Sequence, residues 1–252
     1  MKKAFYSLAF LFLFSLIISP CFSQDIDEIL TTYFENTGGH DNWGKLKGVK
    51  MLAKVSQQDM EIPVEIVQLS DGKQYSKITF QGMTIMQGVF NGEILWGTNF
   101  QTMKPEQSDA ETTEIIKKQA NDFPDPFLNY KGKGYAVELL GDETIDGTET
   151  FKVKLTKEPI VVDGQEVEDV AYYYFDKETF IPVVQESQMR VGPQKGEIQQ
   201  IKFSDFQEVE GLMFPFSMSQ GIKDGPSQPI LIESIELNPE VDPSVFDMPV
   251  EE

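Results

Sequence analysis

The hydrophobic period of this chain changes from 3.6 to 2 at Gly48 and stays close to 2 for most of the remaining length, which narrows the fold more than any other feature. Period-2 runs predict strands at residues 49–57, 62–69, 74–80, 83–90 and 94–98, separated by turn dipeptides such as Gln81-Gly82 and Asn91-Gly92. That is hairpin chemistry, so neighbouring strands should pair antiparallel. Further strands are predicted at 135–140, 150–156, 167–175, 183–191, 198–206, 213–220 and 229–237. Roughly twelve strands exceed what a flat open sheet usually tolerates, so the sheet is expected to curl strongly. Phe151, Val153 and Leu155 alternate with Lys152 and Lys154, which makes one face wet and the other covered.

Helices are few. Ile26, Ile29, Leu30, Tyr33 and Phe34 form one apolar stripe over residues 25–36, and Gly38-Gly39 can end that helix in the left-handed conformation. Residues 40–46 read as a second, short helix. Residues 108–121 read as a third, with Ser108 and Glu111 as a capping box and Ile115, Ile116 and Ala120 as its apolar face. The adjoining Phe123-Pro124-Asp125-Pro126-Phe127 segment can be neither regular helix nor central strand. Helix and loop together are expected to lid the mouth of the curved sheet, with Ile115, Ile116, Phe123 and Phe127 as the lid residues.

The first 23 residues have the form of a secretory signal peptide. Lys2 and Lys3 precede an apolar run from Ala4 to Ile18, and cleavage is expected before Gln24. That run is shorter than the about 20 residues of a spanning helix. The mature chain, residues 24–252, is expected to be one exported domain, periplasmic and without an anchor of its own. Retention through a lipidated Cys21 is the alternative, an outer-membrane tether. If Cys21 leaves with the signal, no cysteine remains and disulfides and thiolate metal sites are excluded.

Charge and composition exclude further classes. The formal charge is -20, and more negative still without Lys2 and Lys3, so nucleic-acid binding is not expected. His40 is the sole histidine, which rules out a paired-histidine zinc site and leaves a Ser-His-Asp arrangement only His40, in a Gly-Gly turn. No nucleophile elbow, phosphate loop or dinucleotide fingerprint occurs. The close acidic pairs Asp25/Asp27 and Glu166/Glu168 lack a calcium loop and read as surface charge. Neither an enzyme nor a metal or cofactor is expected. The run Tyr172-Tyr173-Tyr174 places rings on both faces of a strand, and an exposed one could anchor a partner protein.

The segments Tyr33-Phe34-Glu35-Asn36-Thr37-Gly38-Gly39-His40-Asp41-Asn42-Trp43, Tyr174 to Val183, Phe203-Ser204-Asp205-Phe206, Gly211 to Phe216 and Ile235 to Asn238 with Val245-Phe246 beyond it together resemble the secreted outer-membrane lipoprotein-sorting-protein-like family of Bacteroidetes. The resemblance spans nearly the whole mature chain and implies a LolA-like fold. In fold-class terms that is α+β, a strongly curved antiparallel half-barrel of roughly eleven to twelve strands with an N-terminal helix and an internal helical lid. It also implies that the concave face binds acyl chains. In one respect the chain departs from the family, since proteobacterial carriers use an early-strand arginine to control the cavity and the sole arginine here is Arg190.

An acyl-chain site needs apolar, deformable walls without fixed polar groups. Candidates are Met83, Ile85 and Val89 on one strand, Ile94 and Trp96 continuing that face across Asn91-Gly92, and the row Phe214, Phe216 and Met218. The expected function is non-catalytic carriage of lipid or lipoprotein acyl chains, with a membrane or lipoprotein as handover partner. A protein-interaction module with a filled core is the other reading.

Overall fold

The computed structural model describes residues 25–57 and 60–249, so the signal-peptide segment and Cys21 lie outside the described residues. Helix α1 (Ile26–Asn36) and the single turn α2 (His40–Trp43) precede the strands. These are β1 (Gly48–Gln57), β2 (Met60–Leu69), β3 (Gln74–Phe80), β4 (Met83–Phe90), β5 (Leu95–Thr98) and β6 (Pro105–Gln107). Helix α3 (Ala110–Gln119) and a 3-10 turn interrupt them. Next come β7 (Ala136–Ile145), β8 (Thr148–Thr156), β9 (Ile160–Val162), β10 (Gln165–Val167), β11 (Val170–Asp176) and β12 (Pro182–Gln188). The last strands are β13 (Ile198–Val209), β14 (Leu212–Ile222) and β15 (Ser227–Leu237).

Thirteen strands form one sheet in the order β6-β5-β4-β3-β2-β1-β15-β14-β13-β12-β11-β8-β7, and every pairing is antiparallel. The sheet is curled and unclosed, since β6 and β7 form separate edges, and this is consistent with the expected half-barrel. Its middle is the β1–β15 pairing, which joins the two meanders. β9 and β10 form a separate hairpin, whose end the sequence pattern merges with β11 into one strand over 167–175; three-residue strands, β6 included, are too short to show a period.

One face of the sheet, here the inner face, carries the main core. The predicted stripe of α1 is realised, with Ile29, Leu30, Tyr33 and Phe34 all buried. Tyr33 meets Phe175 edge-on at 5.5 Å, and Trp43 lies 5.2 Å from Phe214. Gly38-Gly39 ends α1 as expected, Gly39 donating to the Phe34 carbonyl at 2.7 Å. Gly38 has φ +114°, and a Cβ there would stand 2.1 Å from the Gly211 carbonyl oxygen.

The cap of α3 differs from expectation. Asp109, not Ser108, is the N-cap and accepts from the Thr112 amide at 2.7 Å. Glu111 reaches away to the β9–β10 turn, where its carboxylate accepts from the amides of Asp163 and Gly164. Two charge-assisted bonds to a turn win over a capping box.

A second core lies on the outer face. Val67, Tyr75, Val89, Trp96 and Phe246 pack together there beneath the C-terminal segment, and Trp96 Nε1 donates to the Phe246 carbonyl at 3.0 Å.

Candidate functional site

Strand register assigns each side chain to a face, since alternate residues point to opposite sides. On β1 the inner positions are Val49, Met51, Ala53 and Val55, opposite Gln68, Ile66, Val64 and Ile62 of β2. The register continues to Gln74, Ser76, Ile78 and Phe80 of β3 and to Met83 and Ile85 of β4. On the other side of β1 it continues to Ile230, Ile232, Ile235 and Leu237 of β15, and through Ile230 to Met218, Phe216 and Phe214 of β14. None of these inner residues is charged. The outer face of the same strands is laced with ion pairs, Lys50 to Glu236 at 3.3 Å, Lys54 to Glu61 and Glu233 at 3.2 and 2.8 Å, and Lys77 to Glu65 at 2.9 Å. Many inner residues, among them Met51, Val55, Ile66, Ile78, Phe216 and Met218, are only half-buried. Apolar side chains in that state line a trough that the helices cover in part.

The segment from Phe123 to Phe127 lies over this trough. Phe127 is buried against Tyr173 and Phe175 at ring-centroid distances of 4.8 and 5.4 Å. Asp125 ties the loop down: its Oδ2 accepts from the Tyr33 hydroxyl at 2.7 Å and its Oδ1 from the Phe127 amide at 2.8 Å. Burial raises the Asp125 pKa above its ordinary value, the hydrogen bonds and Lys133 offsetting only part of it. Lys133 Nζ, whose own pKa burial lowers, donates to the Asp125 carbonyl. Beside the loop Lys157 bridges Asp122 and Asp169 at 2.9 and 3.0 Å; burial lowers its pKa, but the two carboxylates outweigh that and hold it up.

Two contiguous cavities lie beneath the loop. The inner one, 220 Å³, is mainly apolar and is bounded by Trp43, Val49, Met51, Phe203 and Phe214. The outer one, 380 Å³, is bounded by Gln74, Gln119, Lys73 and Asp122. Both are lined by Gln68, Phe123, Pro124, Tyr173, Gln185 and Phe203, so they share a wall. The inner cavity alone falls short of the ~300 Å³ at which small-molecule sites begin, and the outer one brings the pair into that range. A larger cleft of 580 Å³ lies between α1 and the Asn129–Lys131 loop, outside the trough, and another of 370 Å³ between α3 and β9.

The sequence candidates divide between the two faces. Met83 and Ile85, with Phe214, Phe216 and Met218, take inner positions, and Phe214 lines the inner cavity. Val89 and Trp96 do not join them. The β3–β4 register slips at the bulge around Gly88, whose φ is +58°, and this turns Val89 and its partner Trp96 to the outer face. Ile94, half-buried, precedes β5 and belongs to the turn. Of the lid candidates, Phe123 and Phe127 cover the trough, whereas α3 packs on β5 and β9 with Ile115 buried and Ile116 half-buried. The residues that sequence reasoning missed are Val49, Met51, Gln68, Tyr173, Gln185 and Phe203. Their strands are legible in the sequence, but nothing local to them says which strands face the loop.

Tyr173 faces inward under the loop, while Tyr174 points outward and donates to Glu186 at 3.0 Å. His40 is exposed and edge-on to Phe34. Among the described residues no His, Cys, Asp and Glu cluster could hold a metal ion, and no helix is long and apolar enough to cross a membrane.

No family model and no curated protein matches the sequence. The fold does have solved counterparts. An outer membrane lipoprotein-sorting protein domain assigned in Vibrio parahaemolyticus superposes with a TM-score of 0.52 at 12% identity, over 87% of this chain and 95% of that one. A LolA superfamily protein from Nitrosomonas europaea gives 0.50 at 16% identity, over 88% and 96%. A DUF1329 family protein from Desulfovibrio piger gives 0.51 at 13% identity, over 87% and 97%. At these identities the similarity carries the fold, which is LolA-like.

Proposed function

We propose that this protein is an exported, non-catalytic carrier of lipid or lipoprotein acyl chains, as the solved lipoprotein-sorting and LolA-like structures of the same fold suggest. Residues 1–23 direct it to the periplasm, residues 24–252 form one carrier domain, and a lipidated Cys21 would tether it to the outer membrane. The observation that supports this most is the charge-free inner face of β1 to β4, β14 and β15, on which Met51, Val55, Ile66, Ile78, Phe216 and Met218 stay half-buried beside buried neighbours such as Val49 and Phe214, set against an ion-paired outer face. A sheet that only needed a core would bury the half-buried ones as well. Hydrocarbon entering the trough would displace water from Met51, Ile66, Ile78, Phe216 and Met218 at about 25 cal/mol per Å² covered. The Phe123–Phe127 loop is the part that would move to admit it, and a membrane or lipoprotein would hand the cargo over.

The test is to purify the mature protein, extract it with organic solvent and examine the extract by mass spectrometry. Stoichiometric lipid is expected, and delipidated protein should take up a fluorescent fatty acid. A lipid-free extract together with no uptake of the probe would overturn the reading in favour of a protein-interaction module of the same fold.

A further inference from the structure

We infer that the outer cavity is a headgroup site selective for an uncharged polar group rich in hydroxyls or amides. This rests on the carrier reading, in which the tail of the same molecule lies in the adjoining apolar trough.

The inference comes from how the polar groups of the cavity are committed. Four carboxamides converge on it from three strands and a helix. Gln68 of β2 pairs across the ladder with Gln74 of β3, Gln185 of β12 pairs with Tyr173 of β11, and Gln119 ends α3. Among the described residues none of these amides has a side-chain hydrogen-bond partner. Neither does the Tyr173 hydroxyl, although Tyr173 is only 9% exposed and lines both cavities. The hydroxyl is not sealed off from solvent but opens on the cavity, where it is free to bond to a ligand.

The charged groups at the cavity are, by contrast, already spent. Lys73 holds Asp71 at 2.6 Å. Asp122 accepts from Tyr135 at 3.0 Å and pairs with Lys157 at 2.9 Å, and Lys157 also holds Asp169. Lys73, the lysine that lines the cavity, is already paired with Asp71, and the chain's charge of -20 repels a phosphate. Carboxamides offer donors and acceptors together, which matches hydroxyl and amide groups and suits neither a phosphate nor a quaternary ammonium. Such a head occurs on sugar-bearing lipids and on acylated peptides.

The test keeps the tail constant and varies the head. A fluorescent fatty acid bound to the mature protein is displaced with dodecyl maltoside, an N-dodecanoyl dipeptide amide, dodecyl phosphate and dodecyltrimethylammonium, each below its micelle threshold. The maltoside or the peptide amide should bind about tenfold more tightly than the phosphate, the loss of one to two net hydrogen bonds. The tighter of those two identifies the source of the head. Gln68→Leu with Gln185→Leu should level the four affinities, with circular dichroism confirming that the variant is folded. Tyr173→Phe, which keeps the ring on Phe127, should lower the preference alone. Equal affinities in the wild type, or a preference for phosphate, overturn the headgroup inference and leave carriage standing; failure of every amphiphile and of the fatty acid overturns carriage as well.

Discussion

The Tyr33 hydroxyl donates a 2.7 Å hydrogen bond to Asp125 Oδ2, joining α1 to the proline-bounded loop across 92 residues of sequence. Asp125 is therefore both the latch of the loop and a carboxyl that burial holds above its ordinary value of 3.8. A folded-state pKa raised over the unfolded one means that the native state keeps the proton longer. The contribution of Asp125 to stability is full below about pH 4 and declines as pH rises through the raised pKa. Asp125→Asn should flatten that decline, and Asp125→Ala should cost about 1–3 kcal/mol at low pH by orphaning Tyr33 and the Phe127 amide. Thermal unfolding as a function of pH measures both, and identical pH slopes in wild type and Asp125→Asn would contradict the assignment.

Lys157 stands between Asp122 and Asp169, mostly shielded from solvent. Replacing it with Met leaves two carboxylates close together without a counter-charge, so a loss on the order of 3 kcal/mol is expected at pH 7. The loss should shrink at acid pH as the carboxylates take up protons. Urea unfolding at pH 7 and pH 4 would show the difference, and an equal loss at both would mean that packing, not charge, is at stake.

Gly38 accepts no side chain. Its φ of +114° opposes one, and so does the Gly211 carbonyl oxygen, which would stand 2.1 Å from an added Cβ. Gly38→Ala should push α1 off the β13–β14 turn and cost about 3 kcal/mol or more, well above an ordinary surface change. Chemical denaturation gives the value; a variant within about 1 kcal/mol of wild type would show that the turn yields easily.

Trp96 and Met51 separate packing from binding. Trp96→Phe removes the hydrogen bond to the Phe246 carbonyl on the outer face, so about 1 kcal/mol of stability should go while fatty-acid uptake stays unchanged. Met51→Asp puts a charge on the inner face at the apolar cavity, and uptake should fall sharply. Circular dichroism confirms that each variant is folded. Reduced uptake by Trp96→Phe would place Trp96 in the site after all.

Much of the architecture is written in local pattern. The stripe from Ile26 to Phe34, the Gly38-Gly39 stop and the bounds of β3 and β4 come from periodicity and turn chemistry within a few residues of each other. The proline-bounded loop can be recognised as a cover for the same reason, since no regular element accommodates it. Val89 and Trp96 illustrate where such reading ends. Their alternation with Ile85 looks unbroken only if the strand has no extra residue, and a bulge at Gly88 costs little that sequence can display.

Residue order alone determined that this protein is an antiparallel, hairpin-built sheet with a wet face and a covered one, because side-chain alternation is a property of each strand by itself. Only the tertiary structure decided that Gln68, Gln185 and Tyr173 meet under the Phe123–Phe127 loop. Those three come from β2, β12 and β11, and they are brought together by the curl of the whole sheet around the β1–β15 pairing, a long-range contact that no short stretch of chain specifies.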